Sequence, residues 1–124
     1  MLNTNVPAWF EIPTENLHRA QQFYETVLGQ PLARQNFSGV DMAVMRGGGK
    51  PHSSGALIAL EDVQPSVQGS IVYIGVDDLA PVLERAQAHG ADIFVPRTAL
   101  PEGMGWFAQF RDCEGNRVGL WSPV

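Results

Sequence analysis

The side chains best equipped for chemistry in this chain recur with a spacing of two. Trp9 and Glu11 flank Phe10, while Phe107, Gln109 and Arg111 alternate with Ala108 and Phe110. In an extended strand successive side chains point to opposite faces, so residues two apart share a face. If Phe10 and Ile12 pack beneath a helix, Trp9 and Glu11 face the other way. The same alternation sends Val72, Ile74 and Val76 toward a core and leaves Ile71 and Tyr73 opposite; it likewise sets Gly119 and Trp121 against Val118 and Leu120. The shared surface would then carry Trp9, Glu11, Tyr73, Phe107, Gln109, Arg111 and Trp121. Aromatic walls with a few polar handles are the usual make-up of a site for an organic ligand. Glu11 is the candidate general base or cation ligand. Its competing role is a structural ion pair with Arg111 or another arginine, and the competing role of the rings is to fill a collapsed cavity.

The remaining reactive residue types do not assemble. His18 falls in a helical segment, His52 in a glycine-rich loop, and His89 just before Gly90, where it favours a helix C-terminus electrostatically. Cys113 lies in a turn between Asp112 and Glu114, whose negative charge should raise its pKa and keep it an unreactive thiol. Lys50 follows three glycines, but Pro51 comes next rather than Ser or Thr, and no helical pattern follows, so a phosphate-cradling loop is not supported. Residues 46–55 read as a mobile loop able to cover a ligand.

The elements that must position these residues occur as two copies of one pattern. The first runs Phe10-Glu11-Ile12-Pro13-Thr14-Glu15-Asn16-Leu17 into Ala20, Phe23, Tyr24 and Leu28 and stops at Gly29. The second runs Ile74-Gly75-Val76-Asp77-Asp78-Leu79 into Val82, Leu83 and Ala86 and stops at Gly90. Each is a strand, an acidic helix start, an amphipathic helix and a glycine stop, predicting helices over about 15–28 and 78–89. Short strand patterns follow each helix: 32–37, 40–45 and 56–60 in the first half, 92–97, 106–111 and 117–121 in the second. The order is βαβββ twice, with a linker at 61–69, so the expectation is one α+β domain over 1–124 with modules at about 6–61 and 70–122. A four-stranded sheet with one helix covers one face only. Joining two such sheets edge to edge would leave their bare faces lining a common hollow.

Composition sets the outer limits. The chain has 124 residues, enough for one core, with 44% hydrophobic and 17% charged residues. A net charge of -5 with only eight Lys plus Arg argues against nucleic-acid or anionic-membrane partners. No apolar run reaches bilayer length. With a single cysteine and no signal-like opening segment, a cytoplasmic protein is expected.

The first copy, together with Phe110-Arg111-Asp112-Cys113-Glu114-Gly115-Asn116 and Leu120-Trp121, closely resembles the glyoxalase/bleomycin-resistance/extradiol-dioxygenase superfamily, the vicinal oxygen chelate fold. Within it the chain looks most like small proteins related to lactoylglutathione lyase. The resemblance implies the two-module fold, but that fold carries isomerases, transferases, dioxygenases and metal-free binding proteins. Its metal-using members take ligands from four strand positions, which fall here on Trp9, on Leu57 or Ile58, on Ile71 and on Gly119. None supplies an oxygen or nitrogen donor, so no metal or other cofactor is expected. The expected function is metal-independent binding of a small organic ligand between the modules. The alternative is a lyase or isomerase with Glu11 as base or as a noninherited metal ligand. Phe37, Met42, Met104 and Trp106 exceed what one small core hides, and small members of the superfamily pair, so a homodimer is expected.

Overall fold

The structure, a computed structural model, describes residues 1–3, 6–47 and 54–124. Its first module comprises β1 (Trp9–Pro13), α1 (Leu17–Leu28), β2 (Ala33–Phe37), β3 (Val40–Arg46) and β4 (Ser54–Ile58). The second comprises β5 (Val72–Gly75), α2 (Leu79–Ala88), β6 (Asp92–Ala99), β7 (Trp106–Arg111) and β8 (Arg117–Ser122). The sheet orders are β1-β4-β3-β2 and β5-β8-β7-β6. In each, the last strand lies parallel beside the first, and the other neighbours are antiparallel. This is the α+β arrangement of two βαβββ modules that the sequence predicts.

Local chemistry sets the helix limits. Asn16 and Asp78 are extended N-caps whose side chains accept from the backbone N–H of Arg19 and Ala80, each at 3.0 Å. Gly29 closes α1 in the left-handed region at φ 75°, where a glycine meets no Cβ penalty. The expected acidic start holds at α2, where Asp78 is the cap, whereas α1 is capped by Asn16 and carries no acidic residue in its first turn. At α1 the carboxylate comes from the other module. Glu114 Oε1 accepts from the N–H of Glu15 at 2.8 Å and of Asn16 at 2.9 Å, and Oε2 accepts from Arg19 Nε at 2.6 Å.

Among the described residues the two sheets are not joined edge to edge as expected; β1 and β5 each pair there with the last strand of their own module. The helices join them instead. Ala20, Phe23 and Val27 of α1 are buried in one cluster with Leu79, Val82 and Ala86 of α2, and Arg85 Nε donates to Val27 O across the seam at 3.0 Å. The turn after β7 completes the junction: Tyr24 Oη donates to Asp112 Oδ2 at 2.6 Å, and Asn116 Nδ2 donates to Pro13 O at 2.8 Å. Burying both helices' apolar stripes in one core removes more apolar surface from water than a shared sheet edge would.

Two further segments depart from expectation. β4 spans 54–58 rather than 56–60, because Leu60 bridges back to Val63 and turns the chain. That turn makes the linker more than a tether: Leu60 and Val63 pack on Val44, Ala56 and Ile58, covering part of the first sheet's helix-free face. The covering loop expected over 46–55 falls largely on 48–53, including Lys50 and His52, which lie outside the described residues. Among the described residues no helix is long and apolar enough to cross a membrane.

Candidate functional site

Strand register places every predicted lining residue on the face away from the helices. Ile12, Ala108, Phe110, Val118 and Leu120 are buried in the core, so their alternating neighbours Glu11, Phe107, Gln109, Arg111, Gly119 and Trp121 lie on the opposite, concave faces. Trp9, Tyr73 and Trp121 remain 41%, 44% and 39% exposed. The single chain does not gather all seven residues. Trp9 and Glu11 stand on the first sheet, where Trp9 Nε1 donates to Glu11 Oε2 at 3.2 Å, and the other five stand on the second.

On the second sheet Tyr73 touches both Gln109 and Phe107. Tyr73 lies across Gly119 so closely that a Cβ there would fall 2.2 Å from the ring, and only a glycine admits it. Gln109 Nε2 donates to the Tyr73 hydroxyl, and Gln109 Oε1 accepts from Arg117 Nη1 at 2.9 Å. Phe107 meets the Tyr73 ring edge-on with centroids 6.3 Å apart, and Trp121 Nε1 donates to Met104 O at 2.9 Å. Arg111 does not meet Glu11; its guanidinium pairs with Asp92 at 2.7 Å. Arg117 and Phe94 are members of this group that the sequence reading missed. Arg117 stacks 4.2 Å from the Phe94 ring centroid. Alternation from Gly119 could have found Arg117, whereas Phe94 sits beside β-bulges that break the alternation of β6.

Two hollows flank these faces. A cleft of about 1020 Å³ opens along the unpaired edge of β5, lined by Phe10, Met45, Tyr73, Ile74, Val82 and Arg85 among others. Of the predicted lining residues, only Tyr73 borders it. A smaller hollow of about 110 Å³ at the seam has Glu11, Ser70, Val72 and Arg117 in its wall. The concave faces themselves are open in one chain rather than enclosed.

The titratable groups off these faces are held for structure. Burial, with Asp112 and Glu114 adding to it, pushes the Cys113 thiol up to about 12, so the expected rise has a larger cause than neighbouring charge. Burial and then Asp112 hold the Tyr24 phenol well above its usual range. His18 and His89 are exposed, with His89 Nδ1 2.9 Å from Arg85 O.

The four positions at which a metal would be held do not fit one. Trp9 offers an indole N–H that is already donated, and Ile71 offers a hydrocarbon chain. Leu57 is buried in the core, Ile58 lies under the linker, and Gly119 lies under the Tyr73 ring. Among the described residues no group of three or more His, Cys, Asp or Glu could hold a metal ion.

Two βαβββ modules, each a four-stranded sheet with one helix, define the class of two-module α+β folds to which the chain conforms. The chain belongs to the Glyoxalase/Bleomycin resistance protein/Dioxygenase superfamily, whose family model matches residues 7–120. No curated protein matches its sequence. Among solved structures it is similar to a glyoxalase/bleomycin resistance protein from Albidiferax ferrireducens T118, with a TM-score of 0.70 and 14% identity over 93% of this chain and 96% of that one. It is also similar to TnmS3, an antibiotic binding protein from Streptomyces sp. CB03234, with a TM-score of 0.63 and 22% identity over 94% of both chains. A glyoxalase I mutant from Zea mays matches with a TM-score of 0.67 and 20% identity, this chain spanning 45% of that protein. At these identities the likeness speaks for the fold.

Proposed function

We propose that this chain binds a small organic molecule against its concave aromatic faces, without a metal, as a cytoplasmic homodimer. The observation that carries the reading is the exposed Tyr73 ring, hydrogen-bonded by the Gln109 amide on the same concave face as exposed Trp121, with Trp9 exposed on the first sheet. Leaving such rings in water costs stability that a ligand regains. A divalent ion needs several converging donors, and Trp9, Ile58, Ile71 and Gly119 provide none. TnmS3, which has this fold, is an antibiotic binding protein, and that activity agrees with the reading. Pairing is supported by the open cleft at the β5 edge and by Phe37 and Met104, which are 46% and 57% exposed. Of the other two residues expected to be in excess, Met42 and Trp106 are half-buried, and Trp106 lies under Arg97. The unreactive Cys113 thiol fits a reducing compartment. The alternative of a lyase or isomerase using Glu11 draws less support, since Glu11 is exposed and its hydrogen bond comes from Trp9.

A thermal-shift screen over divalent metals and aromatic metabolites tests this, combined with elemental analysis of protein purified without chelator. The reading expects stabilisation by an organic compound in the presence of chelator. One equivalent of bound metal needed for that stabilisation would overturn it. Sedimentation showing only the 13.5 kDa species at micromolar concentration would overturn the homodimer.

A further inference from the structure

The hydrogen-bond directions on the second sheet fix what its face can accept. Arginine is a donor without acceptor capacity, so the Gln109 oxygen must face Arg117 and its amide nitrogen must face Tyr73. The Tyr73 oxygen therefore accepts, and its own hydrogen points away from Gln109. Among the described residues no acceptor meets that O–H. Arg117 Nε reaches Val67 O at only 3.4 Å, and Nη2 meets no acceptor among the described residues. The group thus ends in two outward donors.

Charge points the same way. Arg111, beside Arg117 across β7 and β8, is matched by Asp92, while no carboxylate lies within ion-pair distance of Arg117 among the described residues. Glu11 shares the 110 Å³ hollow with Arg117 without pairing to it. Phe94 beneath the guanidinium and Phe107 beside Tyr73 supply apolar walls. A guanidinium over a ring, linked through Gln109 to a spare phenol donor, matches a planar carboxylate.

We propose that Arg117 and Tyr73, oriented through Gln109, form an anion-recognising site, and that the bound molecule carries a carboxylate or similar anionic group on a planar apolar ring. This rests on the ligand-binding reading above. The Arg117 side chain also ties down the linker through Nε to Val67 O, so a loss of affinity alone would not separate recognition from folding.

The experiment compares three probes sharing one ring, 1-naphthoate, 1-naphthalenemethanol and 1-naphthylmethylamine, by titration calorimetry in chelator. Wild type is expected to prefer the carboxylate over the alcohol by about tenfold, with the amine weakest. Arg117→Gln should abolish that preference while naphthalenemethanol affinity is retained, and Arg117→Lys should keep part of it. Tyr73→Phe, which removes one donor and leaves the guanidinium, should reduce the preference several-fold. Glu11→Gln, which removes the negative charge that shares the hollow with Arg117, should tighten naphthoate binding. Equal binding of the three probes, or an anion preference that survives Arg117→Gln, overturns this inference and leaves the ligand-binding reading standing. Failure of all three probes to bind overturns both.

Discussion

Glu114 ties the start of α1 to the second module, and its removal gives the sharpest test of how the two halves are joined. Its side chain is fully buried while Arg19 is half exposed, and it accepts two backbone N–H groups and one guanidinium N–H. A hydrogen bond to a charged group contributes about 1.5–3 kcal/mol, and the exposed Glu15 and Asn16 amides can recruit water, so Glu114→Ala should cost about 2–3 kcal/mol in total. At about 4 °C per kcal/mol for a chain of this length, Tm should fall by about 8–12 °C. Glu114→Gln keeps an acceptor for the amides but turns an NH2 toward Arg19, so its loss should be smaller. Burial alone would raise the Glu114 pKa; Arg19 and the amides of Asn16 and Glu15 outweigh it and hold the carboxyl below its usual range. The depressed value means that stability from ionised Glu114 is full above the ordinary carboxylate value of about 4.3 and is lost as pH falls through the lower folded value. Calorimetric melts from pH 7 downward should therefore show the gap between wild type and Glu114→Gln closing on acidification. A Glu114→Ala melt within about 2 °C of wild type, or a gap that widens in acid, would refute this account of the junction.

Two further outcomes follow from the packing. Because the Cys113 thiol is pushed up to about 12, its reaction with a disulfide reagent at pH 8 should be far slower in the native protein than in urea; equal rates would contradict its burial. Gly119→Ala should displace the Tyr73 ring and break its hydrogen bond with Gln109, costing about 1–3 kcal/mol and weakening any bound aromatic compound. Melting and binding unchanged from wild type would show that the ring does not rest on that glycine.

Local pattern made most of the fold legible. The two helices, the Gly29 stop and the alternation of 107–111 and 117–121 are short-range signals, and the structure realises each, with Asn16 and Asp78 as caps at or just inside the expected helix starts. What stayed hidden is long-range. Nothing near Glu15 or Asn16 indicates that Glu114 completes the helix start, and nothing in residues 61–69 announces that Val63 covers the first sheet. The way the modules meet depends on which apolar surfaces find each other in three dimensions, so the edge-to-edge expectation failed while both modules were read in order. At the candidate site, face and register were readable, but Arg111 found Asp92 rather than Glu11, and Arg117 emerged as the cation beside Gln109.

The most direct measurement is a tryptophan fluorescence titration of Trp106→Phe protein in chelator, with planar aromatic probes. That variant removes the indole stacked under Arg97 and leaves Trp9 and Trp121, the two on the concave faces, as reporters. The account predicts saturable quenching that is lost or weakened on further substitution of Trp121 with Phe. Absence of saturable quenching in chelator, with binding restored by one equivalent of a divalent metal, would contradict it.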